Sequence, residues 1–503
     1  MNTMISYDEY RRRAQEGNVI PLFDEQLADT ETPVSVYRKV RDESPYSFLL
    51  ESVEGGEHIG RYSFIGFNPF GNFVIRGGSY TVQSRHPDVT VMPDLVKGIT
   101  HPVQALKTLF AHYRTVPMEG LPRLASGAIG YFGYETVQLI ENVPSAPSDE
   151  LGIDDGFLMF LDTLYVFDNV KRKLLLVSNA YVPAGSSEEY LRSEYEKAAG
   201  EIGRMREILR KPVPSEGDAT RLGPLEQPTT REQYEAMVRR SLSYIVEGDV
   251  FQVLPSHRIR RKFEGDPFQV YRMLRLINPS PYMYYFSLNG LAIAGSSPEL
   301  LVRVENDTVE TRPIAGTRKR GSTPAEDDAF AADLLNDQKE VAEHLMLIDL
   351  GRNDIGRISE YGKVEVDEYM VIERYSHVMH IVSNVRGTLR KGMTALDAFF
   401  SCFPAGTLTG APKIRAMEII AGMEPVKRGI YGGAIGYLDF SGNLDTCIAI
   451  RTTVIKDGYA YFQAGAGIVY DSVPSREYQE TLDKMSAVIR AVEMTQTMAG
   501  GPT

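Results

Sequence analysis

Glu477, Glu480 and Lys484 stand at i, i+3 and i+7 in the segment Val473 to Lys484, which places two acids and a base on one face of a helix. Glu340 and Glu343 repeat the three-residue spacing in a second helical stretch that runs on to Asp349. Read alone, such runs are solvated charge stripes, and an exposed Glu480–Lys484 pair contributes only about 0.3–0.5 kcal/mol. Gln463-Ala-Gly-Ala-Gly467 follows an apolar strand, and its glycines allow backbone N–H groups to converge on an oxyanion, although a lone Gly-x-Gly is more often a turn. Arg451 ends one apolar run as an ordinary surface cation would, and His380 lies in another that reads as a buried strand with a satisfied histidine. The stretch Phe403 to Lys413 imitates a phosphate-binding loop without being one. Gly406 and Gly410 are too close for a Walker A motif, and Pro412 removes an N–H that a phosphate cradle would use.

These residues need elements to position them. Thr230-Arg-Glu-Gln233 is a capping box that opens an amphipathic helix with Met237, Val238, Leu242, Ile245 and Val246 on one stripe. Thr323-Pro-Ala-Glu326 repeats the device, and the pattern predicts one helix running through Glu343 towards Leu350. Strands are expected at Ser47 to Glu51, Tyr62 to Gly66, Phe73 to Arg76, Leu174 to Ser178, Leu291 to Gly295, Cys447 to Thr453 and Tyr459 to Ala464, with a helix over Glu188 to Leu209. The expected class is α+β, with large, mainly antiparallel sheets flanked by helices in two lobes. The Pro- and Gly-punctuated stretch 209–229 reads as a linker between an N-terminal lobe, 1–208, and a second domain, 230–495. A chain of 503 residues exceeds one ordinary compact core, which agrees with that division.

Composition narrows the partners. A net charge of −13 argues against nucleic-acid and anionic-membrane surfaces, and no apolar run is long enough for a membrane span. Cys402 and Cys447 are the only cysteines, so neither a disulfide framework nor a cysteine-rich zinc site is available, and a cytoplasmic location is expected.

Taken together, Pro313-Ile-Ala-Gly-Thr317, Glu343-His-Leu-Met-Leu-Ile-Asp349, the Phe403–Lys413 stretch and Gln463-Ala-Gly-Ala-Gly467 resemble the chorismate-utilising enzymes, almost continuously from about Thr230 to Ile489. Within that family the resemblance is nearest to the large subunits of anthranilate synthases. It implies that Glu343 and Glu480 bind Mg2+, a cation that keeps waters and rarely receives a full protein cage. It implies substrate contacts from Gly316, Thr317, Tyr431, Arg451, Gly465, Ala466 and Gly467, where a guanidinium suits a carboxylate. His380, Gln252 and Lys484 become the catalytic candidates, with His380 placed for loss of pyruvate and aromatisation.

Two positions separate the chemistries of the family. Members that add water carry a lysine where this chain has Gln252, because water needs a general base; ammonia brings its own lone pair. Aminodeoxychorismate synthases, the alternative reading, carry a nucleophilic lysine where this chain has Ala315. Gln252 with Ala315 therefore implies amination of chorismate and elimination of pyruvate to give anthranilate, the first committed step of tryptophan biosynthesis. Neither cysteine lies in a Gly-x-Cys-x-Gly turn, so a separate glutamine amidotransferase subunit is implied as the ammonia source. Leu49-Leu-Glu-Ser52 and Asn278 to Tyr285 match the segments that bind feedback-inhibiting tryptophan, which makes Ser52, Pro281, Tyr282 and Met283 the expected inhibitor contacts and 1–208 a regulatory lobe. One departure is His257, where the family pattern leads one to expect glutamine.

Overall fold

The computed structural model describes residues 4–52, 60–84, 92–215, 217, 219–375 and 378–500, the side chains of 498–500 excepted. Its frame is a pair of eleven-stranded sheets. Every strand pair in them is antiparallel, as the α+β reading requires. Why the strands are buried on both faces is legible in Tyr282–Leu288. Met283 and Tyr285 point to a core shared with helices, whereas Tyr284 and Phe286 point between the sheets. The inter-sheet core joins Phe48, Phe64, Tyr284 and Phe286 of one sheet to Ile129, Phe157, Ile435 and Cys447 of the other. Helices Glu188–Arg210, Pro267–Ile277 and Pro474–Met494 cover the outer face of the first sheet. Helices Pro102–His112, Gln338–Gly356 and Ala395–Cys402 cover the second.

The boundary at 209–229 does not separate the layers. The first sheet places Tyr46–Glu51 beside Tyr282–Leu288, and the second places Gly127–Phe132 beside Ala434–Asp439, so each sheet is assembled from both halves of the chain. Within the supposed linker, Arg221–Glu226 forms an edge strand against Ser256–Glu264.

Two predicted elements are divided. The helix expected from Pro324 through Glu343 is interrupted at Asp337, giving Pro324–Asn336 and Gln338–Gly356. Asp337 leaves helical geometry (ψ 107°) and its carboxylate accepts from the Lys339 and Glu340 N–H groups, so it caps the second helix and re-aims Glu343. The capping box at Thr323 is half formed, because Glu326 reaches back to the Ser322 N–H instead of that of Thr323. The strand expected over Cys447 to Thr453 is likewise two: Leu444–Ile448 lies in the second sheet and Thr452–Lys456 in the first. The intervening residues carry the chain between layers, and Arg451 sits there with φ 51°.

Candidate active site

Two such crossings lie side by side. The chain leaves the first sheet after Leu291–Ser297 and enters the second at Leu300–Glu305, and it returns between Ile448 and Thr452. The crossings are stitched together: Ser296 N–H donates to the Arg451 carbonyl (3.2 Å) and Ile448 N–H to that of Glu299 (3.0 Å). Left-handed backbone in a residue with a long side chain is strained, and here it frees Arg451 from both ladders. Its guanidinium has no hydrogen-bond or ion-pair partner among the described residues. Burial lowers its pKa, with the nearby Tyr431 acting in the opposite direction. An unpaired, desolvated guanidinium is a receptor for an anion.

The glycine segment forms the neighbouring wall. A Cβ on Gly467 would lie 2.7 Å from Gln252 Nε2, and one on Gly465 would lie 2.5 Å from the Pro255 carbonyl, so close approach explains both glycines. The expectation that all three N–H groups meet an oxyanion is narrowed. The Tyr234 hydroxyl receives the Ala466 N–H (3.2 Å), and the Gly465 N–H lies towards Tyr431, whose pKa it lowers against the larger effect of burial. Lys484 donates to the Gly465 carbonyl (3.1 Å) and pairs with Glu480 (2.7 Å), tying the glycine wall to the helix Pro474–Met494. Gln252 Nε2 donates to Glu343 (3.2 Å), joining the same wall to the helix Gln338–Gly356.

His380 is fixed from a β-bulge. The pairing of Ile314–Lys319 with Val378–Thr388 shifts register between Ala315 and Arg318, and Gly316 adopts φ +67° there. The Gly316 carbonyl, 2.8 Å from His380 Nδ1, can only accept, so it selects the Nδ1–H tautomer; the Thr317 hydroxyl is 3.1 Å from the same nitrogen. The Nε2 lone pair is thereby left as a base. Burial lowers the pKa of His380 and outweighs the opposing Gly316 bond, which keeps the ring neutral.

The acids of the two helices lie near one another. Burial raises the pKa of Glu343; Glu340 and Glu480 add to the rise, while Gln252 and Lys484 oppose it. Burial likewise raises that of Glu477, one turn before Glu480. Glu480 is paired with Lys484 and Glu340 with Arg318 (3.3 Å), whereas Glu343 and Glu477 have no cationic ion-pair partner among the described residues and fit a cation, although those residues include no group of three or more His, Cys, Asp or Glu side chains that would hold one unaided.

The family profile described as chorismate binding enzyme matches residues 47–490. The chain belongs to the chorismate-binding enzymes. It is 46% identical over 497 residues to anthranilate synthase component 1 of Acetivibrio thermocellus, covering 97% of this chain and 98% of that one. It is 48% identical over 498 residues to the protein of that name from Pseudomonas putida, with 97% and 98% covered. Among solved structures, anthranilate synthase component I from Streptococcus pneumoniae TIGR4 superimposes with a TM-score of 0.73 at 38% identity, covering 87% of this chain and 95% of that one. The menaquinone-specific isochorismate synthase of Escherichia coli, at 19% identity and a TM-score of 0.69, shares the fold.

In this chorismate-binding enzyme the sequence reading passed over one carboxyl. Glu299, at the first crossing, is buried, and its pKa is pushed up to about 7 by that burial, against a Thr407 hydroxyl donating from 3.0 Å and the charge of Lys484. Ser297-Pro-Glu299 reads as a turn, and only the sheet crossing encloses it. His257, the departure from the family pattern, is also buried; its Nε2 lies 2.6 Å from the Thr481 hydroxyl, beside Glu480, and burial lowers its pKa to about 4.

A second pocket of about 350 Å3 lies apart from these residues and is lined by Ser52, Pro281, Tyr282, Met283, Arg303 and Asp445, among others. Met283 pairs with Glu51 across adjacent strands, which is how the two distant segments meet. Glu51 itself is engaged by Tyr271 and by Arg275 (3.0 Å). Polar groups facing this space include Asp445, which accepts from Tyr282 (3.0 Å) and from Arg303 (3.0 Å). No helix among the described residues is long and apolar enough to cross a membrane.

Proposed function

We propose that this chorismate-binding enzyme is the aminating component of an anthranilate synthase, converting chorismate and ammonia to anthranilate, pyruvate and water. The observation that carries the reading is Gln252. A neutral amide, held by Glu343 through its nitrogen, keeps its carbonyl oxygen to accept an N–H of ammonia, and it offers no base to activate water. Arg451, with the N–H of Gly467, receives one carboxylate of the substrate, and Tyr431, Gly316 and Thr317 hold its ring; Gly465 and Ala466 shape the wall. Attack of ammonia forms the C–N bond while the ring hydroxyl departs with the proton of Glu299, as water, and the ammonium so formed releases one proton, which replaces the one that Glu299 gave. His380 Nε2 then takes the proton from the ring carbon that gained nitrogen. The C–O bond to the enolpyruvyl group breaks, the ring becomes aromatic, and protonation of the departing methylene gives pyruvate.

Glu343 and Glu480, with Glu340 and Glu477 behind them, are the residues that would hold Mg2+, and the raised pKa values of Glu343 and Glu477, each increased further by Glu480, fit a cation there. When bound, the cation would neutralise the substrate carboxylate beside the reacting carbon. Lys484 acts through its bonds to Glu480 and Gly465, keeping that helix against the glycine wall. A separate glutaminase subunit supplies ammonia, and the pocket at Ser52, Pro281, Tyr282 and Met283 takes tryptophan as a feedback inhibitor, with the indole against Pro281 and Met283 and its charged ends towards Arg303 and Asp445. Inhibition requires that tryptophan prefer a state with poorer chorismate affinity. The strands Tyr282–Leu288 and Leu291–Ser297 supply the connection, since the second ends at the Ser296 contact with Arg451.

Incubation of the purified chain with chorismate, magnesium and ammonium, followed by chromatography, is expected to give anthranilate; aminodeoxychorismate or isochorismate as the product would overturn the reading. Glutamine in place of ammonium is expected to work only after a glutaminase subunit is added.

An acid must hold its proton to donate it, so at fixed free ammonia turnover is expected to be greatest below the Glu299 pKa of about 7 and to fall as the pH rises through it. Glu299→Gln is expected to slow turnover about 10²–10⁴-fold and remove that limb; an unaltered pH–rate profile would show that another group donates.

Ser52→Phe is expected to fill the second pocket and relieve tryptophan inhibition with uninhibited turnover nearly unchanged. A tryptophan titration of both proteins at fixed chorismate decides it, and equal inhibition of the two would remove the regulatory assignment.

A further inference from the structure

Arg428 is among the largest fully buried side chains of the molecule, and its hydrogen bonds reach two separate site segments. Its Nη1 donates to the carbonyl of Leu408 (2.7 Å), the residue after Thr407. Its Nη2 donates to the carbonyl of Leu254 (2.6 Å), two residues beyond Gln252. Its guanidinium carbon lies 5.6 Å from the ring centroid of Tyr431 and 4.5 Å from that of Tyr134. Glu424 balances the charge, accepting from Arg428 Nε (3.0 Å) and Nη2 (2.6 Å) and from the N–H (2.7 Å) and hydroxyl (3.0 Å) of Ser256. From the N-terminal half, Glu135 accepts the backbone N–H groups of Arg428 (2.8 Å) and Gly429 (3.0 Å).

We infer that Arg428, charge-balanced by Glu424, is a positioning residue that fixes the segments bearing Gln252 and Thr407 relative to one another. The inference rests on the proposed amination. Thr407 holds Glu299 and Gln252 faces ammonia, so the loops that Arg428 joins carry the two groups acting in the first chemical step. Chorismate itself is gripped chiefly by Arg451 on the sheet crossing, which Arg428 does not bond. A lysine at 428 keeps the charge, but one ammonium cannot reproduce a planar fork spanning Leu408, Leu254 and Glu424.

The test compares Arg428→Lys and Glu424→Gln with the wild type, using steady-state kinetics at saturating ammonium and calorimetric chorismate binding. Near-attack geometry is lost with shifts of about 1 Å, so kcat is expected to fall about 10- to 100-fold in Arg428→Lys. The chorismate KM is expected to stay within about threefold, as for an interaction made in the transition state. Binding stoichiometry is expected to match the wild type, which distinguishes a misplaced site from a smaller folded fraction. Glu424→Gln keeps the shape but leaves the buried guanidinium without its counter-charge, so it is expected to lower kcat in the same direction and to lower the melting temperature more than Arg428→Lys does; whichever variant folds carries the test. Wild-type kcat in the folded variants, or a fall in kcat matched by an equal fall in binding stoichiometry, would overturn the positioning role. Absence of turnover in the wild type would instead overturn the proposed amination.

Discussion

A guanidinium that loses hydration without gaining a counter-charge is costly, and the fold accepts that cost at the half-buried Arg451. Neither sheet can release the residue, because its flanks are locked into opposite layers and its own carbonyl is bonded to Ser296. The cation therefore stays in place, unpaired, at the junction of the two sheets. Glu343 carries the opposite burden, a carboxylate whose pKa burial has raised and whose neighbours Glu340 and Glu480 are also acidic. The site is thus two incompletely compensated half-sites, and what completes them must bring negative charge to one and positive charge to the other.

The surrounding structure serves to hold those half-sites at a fixed separation. Glycine at 465 and 467 lets the strand end run against Pro255 and Gln252, and Lys484 closes the same wall onto the helix that carries Glu480. On the other side the Gly316 bulge supplies the carbonyl that sets the tautomer of His380. Both arrangements use backbone atoms as partners. Substitution of the side chains that those atoms meet would change the chemistry while leaving most of the packing intact.

What the sequence disclosed follows the range of the interactions involved. Helix faces are local, so the i, i+3 and i+7 spacing of Glu477, Glu480 and Lys484 placed these residues together before any fold was known. Asp337 is equally local, a good capping residue in plain view, but the apolar spacing continues across it and concealed the break between the two helices. The division at 209–229 failed to describe the layers for a different reason. Tyr46–Glu51 pairs with Tyr282–Leu288 across more than half the chain length that separates the termini's strands, and such pairing leaves no local mark. Glu299 shows the same limit at a single residue: its burial and its raised pKa come from the crossing and from Thr407, remote in sequence.

The central claim, that a dianionic substrate and a divalent cation complete one another's half-site, is tested most directly by calorimetric titration of chorismate with and without Mg2+, together with the converse titration of Mg2+ with and without chorismate. A cation that contacts the carboxylate of the substrate attracts it, and linkage requires each ligand to change the affinity of the other by the same factor. Chorismate is expected to bind more tightly with Mg2+ present, Mg2+ more tightly by that same factor with chorismate present, and Arg451→Gln to weaken chorismate while leaving Mg2+ binding alone nearly unchanged. Chorismate affinity that is identical with and without Mg2+ would contradict the account.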